Sequence, residues 1–183
     1  MNIIFHFFLK LIFLYIFIII IFFYQINVSN SQTTSRTTVK GSGEPVPRFV
    51  SLKTDKANLR KGPSPDHPID WEYNAKGLPF KVLAENNVGG IIWLKVIDSK
   101  GTLGWMHRRL LSSKRTVEVV DNMLILRHHP KKDSEIKAKA EIGAILNIRR
   151  CDKNWCRLSS GKISGWAPRK GYFGLLKNEI EIP

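Results

Sequence analysis

The sequence predicts an all-β protein: two tandem small β units, each a meander or barrel, behind an N-terminal signal or anchor segment. Three observations carry that expectation. The chain beyond residue 48 repeats its own landmarks, its apolar residues alternate with a period of two, and Gly- and Pro-containing turns cut it into short runs.

The N-terminal element comes first. Lys10 is the first charged residue, and Leu11 to Tyr24 contain no charge, Pro or Gly. A basic start, an apolar run and the small polar NVSNS fit a secretory signal peptide, with Ser29 and Ser31 as cleavage-site candidates. Counted from Ile3, the same run approaches the roughly 20 residues that span a bilayer, so residues 1–31 read either as a cleaved signal or as a retained anchor. Both readings put the remainder outside the cytoplasm, in the periplasm or on the outer face of the cytoplasmic membrane. Residues 32–48, QTTSRTTVKGSGEPVPR, are rich in Thr, Ser, Gly and Pro and read as a linker.

Nearly all of the +14 formal net charge falls on the exported part. A surface this basic favours anionic partners, although a merely solubilising surface explains the same charge. Nucleic acid suits the charge but not the export, and the membrane is met only through the N-terminal segment.

The repeat defines the two units. Leu59-Arg60 in KANLRKGPSPD matches Leu126-Arg127 in NMLILRHHPKKD, and Gly77 and Gly143 each open an alternating stretch. Trp93 then pairs with Trp155, and Gly104-Trp105 with Gly165-Trp166. The offset is 67 residues at Leu59/Leu126 and 61 at Gly104/Gly165, because the first copy carries a longer loop at Asn86 to Gly90. Phe80 and Val82 alternate with Lys81, and Leu94 and Val96 with Lys95. Nothing reads as helix beyond a single turn after each Gly-Trp. A unit this small buries little surface, so packing the copies together helps each.

The stretch ANLRKGPSP, followed by KGLPFKVLAE and WLKVIDSKGTLGWMHRRLL, resembles a bacterial Src-homology-3 domain. Asn58, Leu59, Arg60, Gly62, Pro63, Ser64, Gly77, Trp93, Val96, Gly104, Trp105 and Leu111 carry the likeness. The second copy keeps Leu126, Arg127, Pro130, Gly143, Trp155, Leu158, Gly165 and Trp166, and it lacks the Gly-Pro-Ser turn. The resemblance implies domains at 49–113 and 116–176, a five-stranded barrel in each, and non-catalytic binding, commonly to cell-wall peptidoglycan.

Glycine inside a strand marks a bend or a close backbone approach. The pairs Gly104-Trp105 and Gly165-Trp166 therefore read as barrel-closing structure, with a ligand role for the tryptophans as the alternative. Trp93 and Trp155, at strand entrances, divide evenly between structure and ligand contact. Trp71, which has no counterpart, covers one side of the barrel or stacks on a ligand. His107, Arg108 and Arg109, matched by Arg169, Lys170 and Tyr172, form a candidate rim for carboxylates or phosphates, against the plain alternative of solvated charge. Arg60 and Arg127 recur with the repeat and read as structural hydrogen-bond donors.

Cys151 and Cys156 are the only cysteines. An even count in an exported chain points to a disulfide across the DKNW loop, with free thiols or a metal site shared with His128 and His129 as alternatives. No catalytic residue, cofactor or metal is expected: neither cysteine precedes a helix-like start, the histidines have no carboxylate partner at suggestive spacing, and the only Gly-rich stretch, GSGEPVP, lies in the linker. The expected function is non-catalytic binding of peptidoglycan or another anionic envelope polymer. The alternative is an envelope adaptor that holds a protein partner.

Overall fold

The computed structural model describes residues 41–179. The expected export segment lies outside them, as does the start of the expected linker. Among the described residues no helix is long and apolar enough to cross a membrane.

The chain forms β1 (Arg48–Leu52), β2 (Ala57–Arg60), β3 (Ile69–Tyr73), β4 (Pro79–Val88), β5 (Ile91–Ile97), β6 (Leu103–His107) and β7 (Leu111–Ser112). It then repeats them as β8 (Thr116–Val119), β9 (Met123–Arg127), β10 (Ile136–Glu141), β11 (Ile145–Cys151), β12 (Trp155–Ser160), β13 (Ile163–Pro168) and β14 (Tyr172–Phe173). The first sheet runs β3-β2-β6-β5-β4-β1-β7 and the second β10-β9-β13-β12-β11-β8-β14, the same topology strand for strand. Each sheet has seven strands where the resemblance implied five. The two-residue β7 and β14 add closing pairings, each against the first strand of its own sheet.

Alternation sets the core. Leu94 and Val96 of β5 and Phe80 and Val82 of β4 turn inward and are almost fully buried, while Lys81 and Lys95 stay on the outer face. At the β4–β5 turn Val88 sits opposite Ile91, and Gly89 and Gly90 both take positive φ, of 58° and 84°. That is the geometry a two-residue hairpin turn needs, and glycine adopts it without strain.

The Gly-Trp motif is explained where β6 crosses β2. A Cβ on Gly104 would lie 2.6 Å from Leu59 Cγ and 2.9 Å from the Arg60 carbonyl oxygen. In the second barrel a Cβ on Gly165 would lie 2.9 Å from Leu126 Cβ and 3.1 Å from the Arg127 carbonyl oxygen. Glycine takes the inward position, so the next residue falls on the outer face. Trp105 is accordingly half-buried and does not close the core, a difference from the sequence-based expectation. Trp166 is better covered, with the Arg150 guanidinium 4.8 Å above its ring.

The recurring arginines hold the same loop in both copies. Arg60 Nη1 donates to the His67 carbonyl at 2.7 Å, and Arg127 Nη1 to the Ser134 carbonyl at 2.6 Å. The loop mouths are closed alike, by Lys61 N–H to the Pro68 carbonyl and His128 N–H to the Glu135 carbonyl, both at 3.1 Å. The second loop therefore keeps its shape without the Gly-Pro-Ser turn. In the first copy the His67 ring lies so close to Gly62 that a Cβ there would be 2.2 Å away. In the second, the small Ser134 takes that place and its Oγ accepts the His129 N–H at 2.9 Å, which leaves room for a side chain at 129.

The cores exchange volume in the same reciprocal way. Ala57 opposite Tyr73 becomes Leu124 opposite Ala140, whereas Leu94 opposite Met106 becomes Cys156 opposite Ala167. The second core loses volume at the latter pair, and there the chain is stapled by the Cys151–Cys156 disulfide, with Cys156 fully buried. The cysteines are opposed across the β11–β12 ladder.

The barrels meet along a seam. Thr116 Oγ1 donates to the Gly77 carbonyl at 2.6 Å and Ser99 Oγ to Glu118 Oε2 at 2.7 Å. Phe49 meets Phe173 edge to face at 5.0 Å between centroids. Arg115, in the three-residue connection between β7 and β8, is buried, ion-paired to Glu179 and hydrogen-bonded to the Gly174 carbonyl at 2.9 Å. Its guanidinium also lies 5.7 Å from the Phe49 centroid. Burial alone would raise the Glu179 carboxyl, but hydrogen bonds from Arg115 and the Leu176 N–H, with the nearby arginine charges, hold it below its ordinary range. Residues 42–48 of the expected linker also belong to the fold: Ser42 N–H and Oγ and the Arg48 guanidinium converge on the buried Glu85 carboxylate, and Val46 packs on the core.

Arg115→Ala is expected to lower the unfolding free energy by about 3 kcal/mol, because it strands the Glu179 carboxylate at the seam. The Arg115–Glu179 contribution is present above the carboxyl's unfolded pKa and disappears as pH falls through its depressed folded value. Urea unfolding of parent and variant at neutral and acidic pH checks both statements, the difference between them shrinking in acid. Reduction of Cys151–Cys156 is expected to cost about 2 kcal/mol. Non-reducing mass measurement, with a loss of two hydrogens relative to the reduced chain, establishes the bond in the purified protein.

Candidate functional site

The first barrel opens a cleft of about 410 Å³ between the loop after β2 and the turn after β6. Its floor is Trp93, only 3% exposed yet separate from the apolar core cluster. Trp93 sits directly opposite His107 in the β5–β6 ladder, with ring centroids 5.3 Å apart. Asn58, Arg60 and Pro65 form one wall and Arg109 and Leu110 the other.

Each polar group has a defined state. His107 caps the single 3-10 turn Arg108–Leu110, its Nδ1 accepting the Arg109 N–H at 3.1 Å. The ring proton of the neutral imidazole is therefore on Nε2, free to donate. Partial burial and then the Arg109 charge push the imidazole below its ordinary pKa, so it is neutral at pH 7. The Asn58 side-chain oxygen is buried and has no hydrogen-bond partner among the described residues. Lys56, at the rim, is engaged by Glu72 at 2.7 Å, and Arg60 by the loop carbonyl. Arg109 is exposed and takes part in no ion pair among the described residues. The cleft thus offers an aromatic floor, an imidazole N–H and one uncommitted guanidinium, with the donor-less Asn58 oxygen buried in its wall. That set suits a short peptide-like ligand carrying an amide N–H and a carboxylate.

The sequence-predicted rim is only partly assembled. His107 and Arg109 line the cleft. Arg108 points the other way, toward Glu44 at 3.5 Å. Trp71 is 55% exposed on edge strand β3 and outside the cleft, and Trp105 lies on the outer face opposite Arg60. In the second barrel the ladder partner of Trp155 is Pro168, and Ile125 stands where the first barrel has Asn58. The imidazole and the amide are both missing, so the two clefts are not equivalent. Arg169 is not a free rim residue: its guanidinium donates to the carbonyls of Asp152, Leu176, Lys177 and Glu179. Lys170 stays exposed, and Tyr172 pairs with Val119 in the β8–β14 ladder. Sequence reasoning missed Asn58 as a cleft residue. Its signal was a polar residue in the first copy where the second has an apolar one.

A family model described as the bacterial SH3 domain matches residues 53–113 and matches again at 120–170. The chain belongs to the bacterial SH3 domain family. Both matches fall on the SH3 barrels described above, and the seam connection lies between them. No curated protein matches the chain. Among solved structures it is similar to NlpC2 from Trichomonas vaginalis, at 12% identity over 74% of this chain and 51% of that one, with a TM-score of 0.33. It is similar also to NlpC1 from the same organism, at 10% identity, 69% and 45% coverage and a TM-score of 0.31. An NlpC/P60 family protein from Bacillus cereus gives 13% identity, 68% and 55% coverage and a TM-score of 0.29. The chain spans about half the length of these structures.

The first SH3 barrel makes a sharp prediction for its cleft. His107 is expected to titrate below the ordinary 6.5, and Arg109→Ala to move its midpoint upward by removing the nearby positive charge. Proton NMR of the histidine ring across pH 4 to 8 reads both.

Proposed function

We propose that the protein is an exported, non-catalytic binding protein of the cell envelope whose first barrel holds the peptide portion of peptidoglycan. The observation that carries this reading is the cleft over Trp93, lined by His107, by the unpaired Arg109 and by Asn58, whose buried side-chain oxygen lacks a donor. In the binding mode proposed, Arg109 takes a stem-peptide carboxylate, Asn58 accepts a backbone N–H, and Trp93 and Leu110 cover the apolar part of the ligand. The family supports the envelope setting, and the apolar N-terminal run supports export. Both cysteines are joined in the disulfide, so neither offers a thiol nucleophile, which favours binding over covalent catalysis.

The full-length protein, purified in mild detergent, is expected to sediment with purified peptidoglycan and to be released by salt, because the exposed Arg109 contact is screened over about 8 Å at physiological ionic strength. Arg109→Glu is expected to weaken sedimentation at least about tenfold, the scale of losing a charge-assisted hydrogen bond, with the unfolding midpoint almost unchanged. Arg108→Glu, on the far side of the turn, is expected to have the smaller effect. Equal binding by parent and Arg109→Glu at low salt would sink this reading.

A further inference from the structure

The second barrel has lost the imidazole and the amide of the first, yet it carries a basic pocket of its own. Lys153 from the β11–β12 loop, Lys170 from the turn after β13 and Lys177 from the tail after β14 face a pocket of about 350 Å³. No carboxylate lines it, and none of the ion pairs among the described residues involves these lysines. Of the acids close by in the chain or fold, Asp121 lies against Gly171 and outside the lining, and the other two are engaged. Asp152 Oδ1 accepts the N–H groups of Asn154 and Trp155, at 2.8 and 2.7 Å, and Glu179 is held by Arg115.

The three exposed lysines are brought to one pocket by a scaffold. Arg169 Nη1 donates to the Asp152 carbonyl at 2.9 Å, while its Nη2 reaches the carbonyls of Leu176, Lys177 and Glu179 at 3.1, 3.3 and 2.6 Å. One guanidinium thus ties the loop bearing Lys153 to the tail bearing Lys177, beside Lys170 on its own turn. Holding like charges in one pocket is unfavourable, and an anion among them reverses the sign.

Tyr172 adds an unpartnered polar group beside the lysines. Tyr172 lines the same pocket, and its buried hydroxyl has no hydrogen-bond partner among the described residues. Burial pushes that phenol well above its ordinary pKa, so it remains an O–H donor.

We propose that this pocket is a phosphate-ester site, separate from the peptide cleft of the first barrel. The donor types select the anion. The guanidinium fork that matches a planar carboxylate is consumed by backbone carbonyls, leaving ammonium groups, which bind phosphate as point charges from several directions. The Tyr172 O–H supplies a directed donor to one phosphate oxygen. The proposal goes beyond the peptidoglycan reading and does not depend on it.

The test uses the full-length protein in zwitterionic detergent, with inorganic phosphate and glycerol phosphate as probes and acetate as the control, followed by NMR of the Tyr172 ring and the lysine ammonium-bearing side chains. Phosphate and glycerol phosphate are expected to saturate one site. The combined Lys153→Gln, Lys170→Gln and Lys177→Gln variant is expected to weaken them at least about tenfold, and Tyr172→Phe to weaken them less while unfolding at the parent's midpoint. Arg109→Glu is expected to leave phosphate binding intact, which separates this site from the wall-binding cleft. Competition with phosphatidylglycerol vesicles identifies the source: displacement of glycerol phosphate assigns the ester to a lipid headgroup, and none assigns it to a soluble or polymer-borne ester, the site standing either way. Equal shifts with acetate, phosphate binding that survives loss of the three lysines, or binding lost in Arg109→Glu would overturn the proposal.

Discussion

The backbone of β6 can cross β2 only where no Cβ stands between them. At Gly104 the neighbouring strand is closer than any side chain allows, and the second barrel repeats the crossing at Gly165 with a little more room. That single approach sets the inward and outward positions of everything nearby. Met106 and Leu59 fall into the core on one side, and Trp105 turns to the outer face on the other. One more alternation delivers His107 to the position opposite Trp93, and the chain then tightens into the short turn that presents Arg109. The cleft is therefore a consequence of how the barrel closes, with His107 and Arg109 placed in it a few residues after the crossing.

The same scaffold supports two different surfaces because the copies diverged outside it. The loop after the second strand is held by an arginine-to-carbonyl bond and a backbone bond in both barrels, so its contents were free to change from a histidine stacked over glycine to a serine bonded to the main chain. Opposite Trp93 the first barrel has an imidazole. At the corresponding place the second has Pro168, which removes both ring nitrogens and a backbone donor. The matched arginine turned from a surface cation into a strap for the C-terminal tail. The net charge of +14 is thus not one undifferentiated coat: some cations build structure, others line a cleft, and others remain in water.

Arg115 shows how the barrels become mutually dependent. Its guanidinium is buried at the connection, faces Phe49 of the first barrel, and is neutralised by Glu179 at the far end of the second. A buried cation without that carboxylate would be costly, so the first barrel, the connection and the C-terminal tail form one electrostatic unit. Small domains with modest cores gain from such a seam, and the disulfide offsets the smaller side chains of the second core.

The repeat landmarks, the period-two alternation and the paired cysteines were sufficient to read the all-β class, the two tandem units and the disulfide. These are local properties: side-chain alternation is fixed by strand geometry, and matched glycines and tryptophans record duplicated backbone constraints. His107 and Arg109 were legible for the same reason, since a cation directly after a strand end stays near that end. Three-dimensional proximity decided the rest. Trp93 and Trp105 share the outer face, and Trp93 became the enclosed ring because Pro65, His107 and Leu110 line the cleft with it, a neighbourhood that nothing along the chain measures. Asn58 joined the site from a strand 49 residues before His107, and Glu179 found Arg115 across 64 residues. A sequence fixes which groups a chain carries and how they alternate; whether a guanidinium faces a carbonyl, a carboxylate or open solvent depends on which distant strand lies beside it.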